Sequence, residues 1–393
     1  MNWPTAPLGS LCTVVAGGTP SRSVTHYFDG GIPWVKISDM VQGTIFTTEE
    51  TLSNAGLASS GAKLLEPGTL LLSIFATIGR TAVLGVAATS NQAIVGITPR
   101  ANSQLDSTYL RRYLDSAVAT LVGQARGAAQ VNINSSILRA MQIPLPPLPE
   151  QRRIAAILDQ ADEVRAKRRR ALTLLNELAD ATFRDLIARS LTANPTWPTL
   201  PLGEISRQQG GLQITRARLA LPLEVPYLRV ANVFRGVMDL SEIKTIRVTD
   251  AELERVRLQE HDLLLVEGHG NPKEVGRAAR WVGDELNMVH QNHLIRVRVS
   301  ATRLDPVYAE RWLNSAMVSS HWSRVAKTTS GLNTINMGNV RAIPMLVPPL
   351  EVQHDLAAKL LSIQGLRARH HSHLAKLDEL FVSLQHRAFA GQL

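Results

Sequence analysis

The stretch Pro144-Leu145-Pro146-Pro147-Leu148-Pro149-Glu150-Gln151-Arg152-Arg153-Ile154 decides how this chain is read. Proline lacks an amide donor and fixes its own φ, so such a run cannot lie inside a helix or a central strand. Proline does suit the first helical position, and an acid just after it suits the positive helix N-terminus. The stretch therefore reads as a stiff strap that ends one domain and launches a helix. It recurs as Pro348-Pro349-Leu350-Glu351-Val352-Gln353-His354-Asp355-Leu356, an offset of 202 from Gln151 to Gln353.

At seven-residue spacing the first helix lines up Ile154, Ala161, Arg168, Leu175 and Thr182, with Leu158, Arg165, Leu172, Ala179 and Leu186 alongside. The same offset gives Leu356, Ile363, His370, Leu377 and Leu384, with Leu360, Arg367, Leu374, Phe381 and Ala388. A register kept in both copies predicts two helices sharing a coiled-coil seam. Its apolar members are Ile154, Leu158, Ala161, Leu172, Leu175, Leu356, Leu360, Ile363, Leu374, Leu377, Phe381 and Leu384. Connectivity makes the pair antiparallel, and a helix of this length spans roughly 50 Å.

The duplication runs beyond the straps. Leu8-Gly9 answers Leu202-Gly203, Gly17-Gly18 answers Gly210-Gly211, and Ile32-Pro33-Trp34-Val35 answers Val225-Pro226-Tyr227-Leu228. Ile78-Gly79-Arg80 answers Val275-Gly276-Arg277, and Arg112-Tyr113-Leu114 answers Arg311-Trp312-Leu313. Within a copy, Trp34 to Ile37, Thr69 to Ile74, Ala82 to Leu84 and Ala93 to Thr98 read as strands, and Leu105 to Leu121 as a helix. Asp250 to Leu258 reads as an extra short helix in the second copy. The expected fold is α+β. Two similar domains with twisted β-sheets (1–149 and 201–350) are separated by an antiparallel two-helix coiled coil (150–190 and 351–393). Residues 191–200 form a linker, and the duplication gives a pseudo-two-fold relation.

At 393 residues, with 45% hydrophobic content, the chain holds two or three domains with proper cores. Its net charge of +9 favours an anionic partner, nucleic acid first. The single cysteine, Cys12, excludes an internal disulfide and a cysteine-built zinc site, and points to a reducing, cytoplasmic setting. The start Met1-Asn2-Trp3-Pro4 does not read as a signal peptide, and no apolar run is long enough to span a bilayer.

The duplicated strap, each copy leading into a coiled-coil helix after one of two dissimilar domains, resembles the specificity subunit of type I restriction–modification systems. Gly17-Gly18-Thr19-Pro20-Ser21, Ile32-Pro33-Trp34, Ile78-Gly79-Arg80, Asn91-Gln92 and Asn132-Ile133-Asn134 look like that family's recurring signatures. The resemblance implies two target-recognition domains, each reading one half of a split double-stranded DNA target. It also implies two docked methyltransferase subunits and a motor–nuclease subunit. S-adenosylmethionine, ATP and Mg would belong to those partners, with no cofactor, no active site and no membrane association in this chain. The second copy departs from the first: it has Leu212-Gln213-Ile214 in place of Thr-Pro-Ser, and Glu267-Gly268-His269-Gly270-Asn271-Pro272-Lys273 in place of Ile74-Phe75-Ala76-Thr77.

Lys and Arg hold DNA backbone, while Arg, Asn and Gln read base edges. The candidates in the first domain are Ser21, Arg22, Lys36, Ser38, Arg80, Gln92, Arg126, Gln130 and Asn132. In the second they are Arg216, Arg218, Arg229, Asn232, Lys273, Arg277, Asn292, Lys327, Thr328 and Asn333. Arg80 and Arg277 equally suit bracing of the fold, because shared residues are poor readers of different sequences. The run Arg165 to Arg170 reads as a solvated or docking face before a phosphate contact. His261, His269, His290 and His293 lack the acid and cysteine partners of a metal site. No Asn-Pro-Pro-aromatic methylation motif and no phosphate-binding Gly-x-x-x-x-Gly-Lys loop is present. The alternatives are a stand-alone DNA-binding regulator and a protein-binding adaptor.

Overall fold

The structure is a computed structural model that describes residues 3–117, 133–192, 196–329 and 332–393. It divides into two compact units, 1–170 with 372–393, and 171–371.

In the first unit a five-stranded sheet has the order Cys12–Ala16, Ile94–Pro99, Leu70–Ser73, Thr81–Leu84, Thr44–Ile45. Its central strand, Leu70–Ser73, is buried on both faces, which is why it reads as an unbroken apolar run. A smaller sheet joins Glu50–Leu52, Ile32–Val35 and Thr89–Ser90, the last pair running parallel. The second unit repeats both sheets. Ser206–Gly210, Leu294–Val299, Leu263–Val266 and Ala278–Arg280 form one. Lys244–Val248, Leu223–Leu228 and Val289–His290 form the other, again with its last pair parallel.

The expected strand at Trp34 to Ile37 is displaced toward the N-terminus, to Ile32–Val35. The chain turns there because the Lys36 N–H donates to Asp39 Oδ2 at 2.7 Å, opening a 3-10 turn over Ile37–Gln42. Arg229 N–H makes the same bond to Asn232 Oδ1 at 2.9 Å. The helix expected over Leu105 to Leu121 runs Ser107–Ser116. Asp106 caps it, accepting from the Thr108 and Tyr109 N–H groups, and Leu121 lies outside the described residues. The extra helix is Asp250–Val256, with a capping box at Thr249 and Glu252. The expected linker is partly strand: Thr199–Pro201 pairs with Pro344–Leu346, as Thr5–Pro7 pairs with Gln142–Pro144.

The long helices are Leu148–Ser190 and Leu350–Phe389, so each begins inside its strap, slightly earlier than expected. The first has 43 residues, about 65 Å at the α-helical rise. In the first unit the start of one packs on the end of the other: Ile154, Leu158 and Ala161 share a core with Phe381, Leu384 and Ala388. In the second unit Phe183 and Leu186 share a core with Leu356 and Leu360. Both arrangements are antiparallel. Leu172 and Ile363 are buried, and Leu175, Leu374 and Leu377 are half-buried.

Each strap is held by one buried glutamine. Gln151 Oε1 accepts from the Asp106 N–H at 2.8 Å, while its Nε2 donates to the carbonyls of Gln104 at 3.0 Å and Pro146 at 2.8 Å. Gln353 does the same with the Asp305 N–H at 2.8 Å, Arg303 O at 3.1 Å and Pro348 O at 2.7 Å. Prolines cannot donate, so the amide supplies the bonds that dock the strap onto the domain. Tyr109 Oη donates to Pro144 O at 3.1 Å, and Tyr308 Oη to Leu346 O at 2.7 Å.

Candidate nucleic-acid interface

Four loops of the first unit are tied together by backbone bonds. Gly17 N–H donates to Ile94 O at 3.0 Å, Gly18 N–H to Ser90 O at 2.9 Å, Asn91 N–H to Val35 O at 3.0 Å and Ile133 N–H to Ile74 O at 3.1 Å. Trp34 Nε1 adds a bond to Gly18 O at 3.1 Å. These gather segments 17–22, 36–39, 74–80 and 91–92. The second unit gathers its counterparts through Leu212 N–H to His290 O at 2.9 Å, Gln291 N–H to Leu228 O at 2.9 Å and Ile335 N–H to Glu267 O at 2.9 Å.

The strand register corrects one pairing of the copies. A Cβ on Gly17 would lie 2.1 Å from Asn91 O, and one on Gly211 would lie 2.3 Å from Gln291 O. Gly17 therefore answers Gly211, and Leu212 stands where the first copy has Gly18. Gly79 and Gly276 both hold positive φ, 85° and 72°, at the turn before the matched arginines.

Those arginines are braces. Arg80 Nη1 donates to Ile37 O at 3.2 Å, and Arg277 Nη2 donates to Val230 O at 3.1 Å. Arg277 also pairs with Glu274 at 3.1 Å and lies over the Phe234 ring. Several other candidates are similarly committed. Asn232 is buried, and its amide donates to the carbonyls of Asp239 and Glu242. Arg218 forks onto Glu252 at 3.1 and 3.0 Å and reaches the carbonyls of Gln213 and Arg247. Arg229 pairs with Glu242 at 3.1 Å. Asn333 Nδ2 donates to Gly270 O at 3.2 Å.

Arg22 and Lys36 form one acidic–basic cluster. Both pair with Glu50, at 2.5 and 2.7 Å, and Lys36 also meets Glu49 at 2.6 Å. Arg22 lies over the rings of Phe28 and Trp34, 4.4 and 4.9 Å from their centroids. Hydrogen bonds from Arg22 and then Lys36 hold the Glu50 carboxyl below the usual range, and Glu49 and Glu50 raise the Lys36 ammonium. Two cations facing two carboxylates leave this corner near neutrality. Sequence reasoning missed Glu49 and Glu50, because nothing local marks a partner brought in from another strand.

The candidates presented to solvent are fewer. Ser21, Ser38 and Gln92 are exposed in the first unit, with Gln92 accepting from Thr19 Oγ1 and Ser21 facing Ser23 at 2.8 Å. In the second unit Arg216 and Lys273 are exposed, with no side-chain ion pair among the described residues, and Asn292 is half-buried. Arg126, Gln130, Asn132 and the side chains of Lys327 and Thr328 lie outside the described residues. The strand Lys327–Thr329 pairs with Leu332–Thr334, which pairs with Gly268–His269, so the second unit builds a small sheet into its loop cluster.

The basic run on the first long helix is largely neutralised: Arg165 meets Asp162 and Asp378, Lys167 meets Glu163, and Arg169 meets Asp378. The four histidines make separate local contacts. Nδ1 of His269 accepts from the Asn271 N–H, His293 faces Glu267, and His261 faces Arg280. His290 is fully buried beside Gln209 O, and burial pushes its imidazole down to about 4. Cys12 is buried, with its thiol pushed up to about 12 by desolvation. Among the described residues no helix is long and apolar enough to cross a membrane.

Two copies of a mixed sheet domain, each strapped to an antiparallel helix pair, define a class with known members. The family described as "Type I restriction modification DNA specificity domain" matches residues 1–174. The EcoKI specificity subunit of Escherichia coli strain K12 is 24% identical over 420 residues, covering 100% of this chain and 89% of its own. The StySPI specificity subunit of Salmonella potsdam is 21% identical over 416 residues, with the same coverage of 100% and 89%. A type I restriction–modification S subunit from M. genitalium shares the fold at a TM-score of 0.59 and 13% identity, covering 99% of this chain and 96% of that one. A chain from a study of type I R-M complex assembly and conformational transition gives a TM-score of 0.57 at 18% identity, covering 100% and 98%. Over its full length the chain is similar to type I restriction–modification specificity subunits, and it shares their fold.

Proposed function

We infer that this chain is the sequence-reading subunit of a type I restriction–modification complex. Each unit reads one half of a bipartite double-stranded DNA target, and the helix pair sets the gap between halves. One observation carries the reading: a matched frame of braces (Arg80 with Arg277, Gln151 with Gln353) supports loops that do not match. Equal frames with unequal loops suit two readers of unequal sequence, so the target is asymmetric. Ser21, Ser38 and Gln92 in one unit, and Arg216, Lys273 and Asn292 in the other, are the contacts this reading favours. Catalysis comes from two methyltransferase subunits using S-adenosylmethionine and from a motor–nuclease subunit using ATP and Mg.

The test is to express the chain with its methyltransferase and map methylated adenines in the host genome. The expected result is one asymmetric, interrupted sequence whose methylation vanishes without this chain. A palindromic or uninterrupted sequence, or methylation independent of the chain, contradicts the reading.

A further inference from the structure

The two units differ sharply where their short helices meet the long pair. In the first, Arg112 is buried and meets Asp159 at 2.6 Å, Asp162 at 3.0 Å and Asp115 at 3.8 Å. Arg165 meets Asp162 at 2.8 Å and Asp378 at 2.7 Å, and lies over the Phe381 ring, 4.1 Å from its centroid. Two guanidinium groups thus share four carboxylates, and an aromatic ring lies under one of them.

The second unit keeps both arginines and drops the matched partners, although Arg311 lies over a different ring, that of Phe183. By the offsets of the duplication, Arg112 becomes Arg311 and Arg165 becomes Arg367. Asp115, Asp159, Asp162 and Asp378 become Asn314, Leu361, Gln364 and Asn176. Phe381 becomes Ala179. One replacement acid appears: Asp180 pairs with Arg311. Arg367 has no hydrogen bond or ion pair among the described residues, and its Nε is buried without a partner.

Where the ring is missing there is a cavity of about 490 Å³. Its apolar lining includes Ala179, Leu360, Ile363 and Val307. Arg311, Arg367 and His371 line it as well, and Arg235 joins them from the turn of an exposed hairpin. Glu310 also lines the cavity, but it is paired to Arg280. The cavity therefore carries a net positive charge over an apolar floor.

We propose that this cavity is a docking site for an acidic segment of a partner protein, whose carboxylates take the places of Asp162 and Asp378 and whose apolar side chain takes the place of the Phe381 ring. The first unit is the internal template: the same two arginines already bind carboxylates beside a large apolar group. A nucleic-acid phosphate satisfies the arginines but leaves the apolar floor wet. An acidic–apolar protein segment satisfies both. Among the described residues the site is single, because the first unit fills its own copy. It stands whether or not the loops read DNA.

The probe is a short fluorescein-labelled peptide of glutamate and leucine, titrated by anisotropy into the full-length protein. The expected result is salt-sensitive binding at one site. Gln364→Asp, which rebuilds the Asp162–Arg165 pair as a pair with Arg367, weakens it about tenfold, the size of one charge-assisted hydrogen bond. Ala179→Phe, which restores the ring, weakens it at least as much. The exposed Gln364 site tolerates substitution without loss of fold, so its outcome stands even if Ala179→Phe fails to fold. No binding, or binding unchanged by Gln364→Asp, overturns the proposal. Displacement of the peptide by a random DNA duplex whose own binding falls in Gln364→Asp assigns the site to phosphate and also overturns it.

Discussion

The first unit closes its helix junction with its own side chains, and the second leaves the same junction open. The backbone frame is common: matched sheets, matched glutamine clamps, matched glycines with positive φ before matched arginines. What differs is the sign and size of the groups set on that frame. Four aspartates and a phenylalanine on one side are replaced by neutral or small residues on the other. A duplicated domain can therefore hold its architecture through buried hydrogen bonds while its charged surface changes freely, since a buried polar bond is costly to lose and an exposed pair is not.

The largest effects should fall on the shared frame and be equal in both units. Gln151→Leu or Gln353→Leu leaves a buried N–H and two carbonyls unpaired and costs about 4 kcal/mol. Denaturant melts of the two variants check this, and unequal losses would break the comparison. Next, Arg112→Ala leaves Asp159 without its partner, Asp162 with Arg165 alone and Asp115 with the Thr81 hydroxyl, and costs about 3 kcal/mol. Arg311→Ala releases the half-exposed Asp180 and uncovers one face of the Phe183 ring, and costs about 1 kcal/mol. Similar losses would show that the junctions are not as unlike as their charges.

A smaller effect comes from pH. His290 stands where the first unit has Ser90, and its folded-state imidazole is held down to about 4 by burial. The unfolded chain binds the extra proton first, so stability is full above the ordinary histidine range and falls as pH drops toward about 4. The loss by about pH 5.5 is about 1 kcal/mol and belongs to the second unit. His290→Gln should flatten that slope; an unchanged slope would mean another group carries it. The smallest effect is on DNA. Arg216→Ala removes an exposed cation and lowers the salt slope of binding by about one unit, whereas the already paired Arg22→Ala leaves it nearly unchanged.

The frame was legible because its signals are local or repeated. Proline straps launch helices, and a seven-residue apolar register survives the offset between Gln151 and Gln353. The helix caps at Asp106 and Thr249 follow the same local chemistry. The candidate interface was less legible, because a loop arginine looks alike whether it braces or reads. Arg22 and Lys36 find Glu50 only once one strand pairs with the next, and Arg80 finds Ile37 O only across the sheet. The one-residue slip at Gly17 arose likewise from strand register, which a doubled glycine does not specify.

The measurement that bears most directly on two unlike readers held by one frame is a loop exchange. Segment 267–273 is replaced by its counterpart from a relative of different target, and methylated adenines are mapped with the cognate methyltransferase present. The prediction is that one half of the target changes while the other half and the gap stay fixed. A change in both halves, or no change in either, contradicts it.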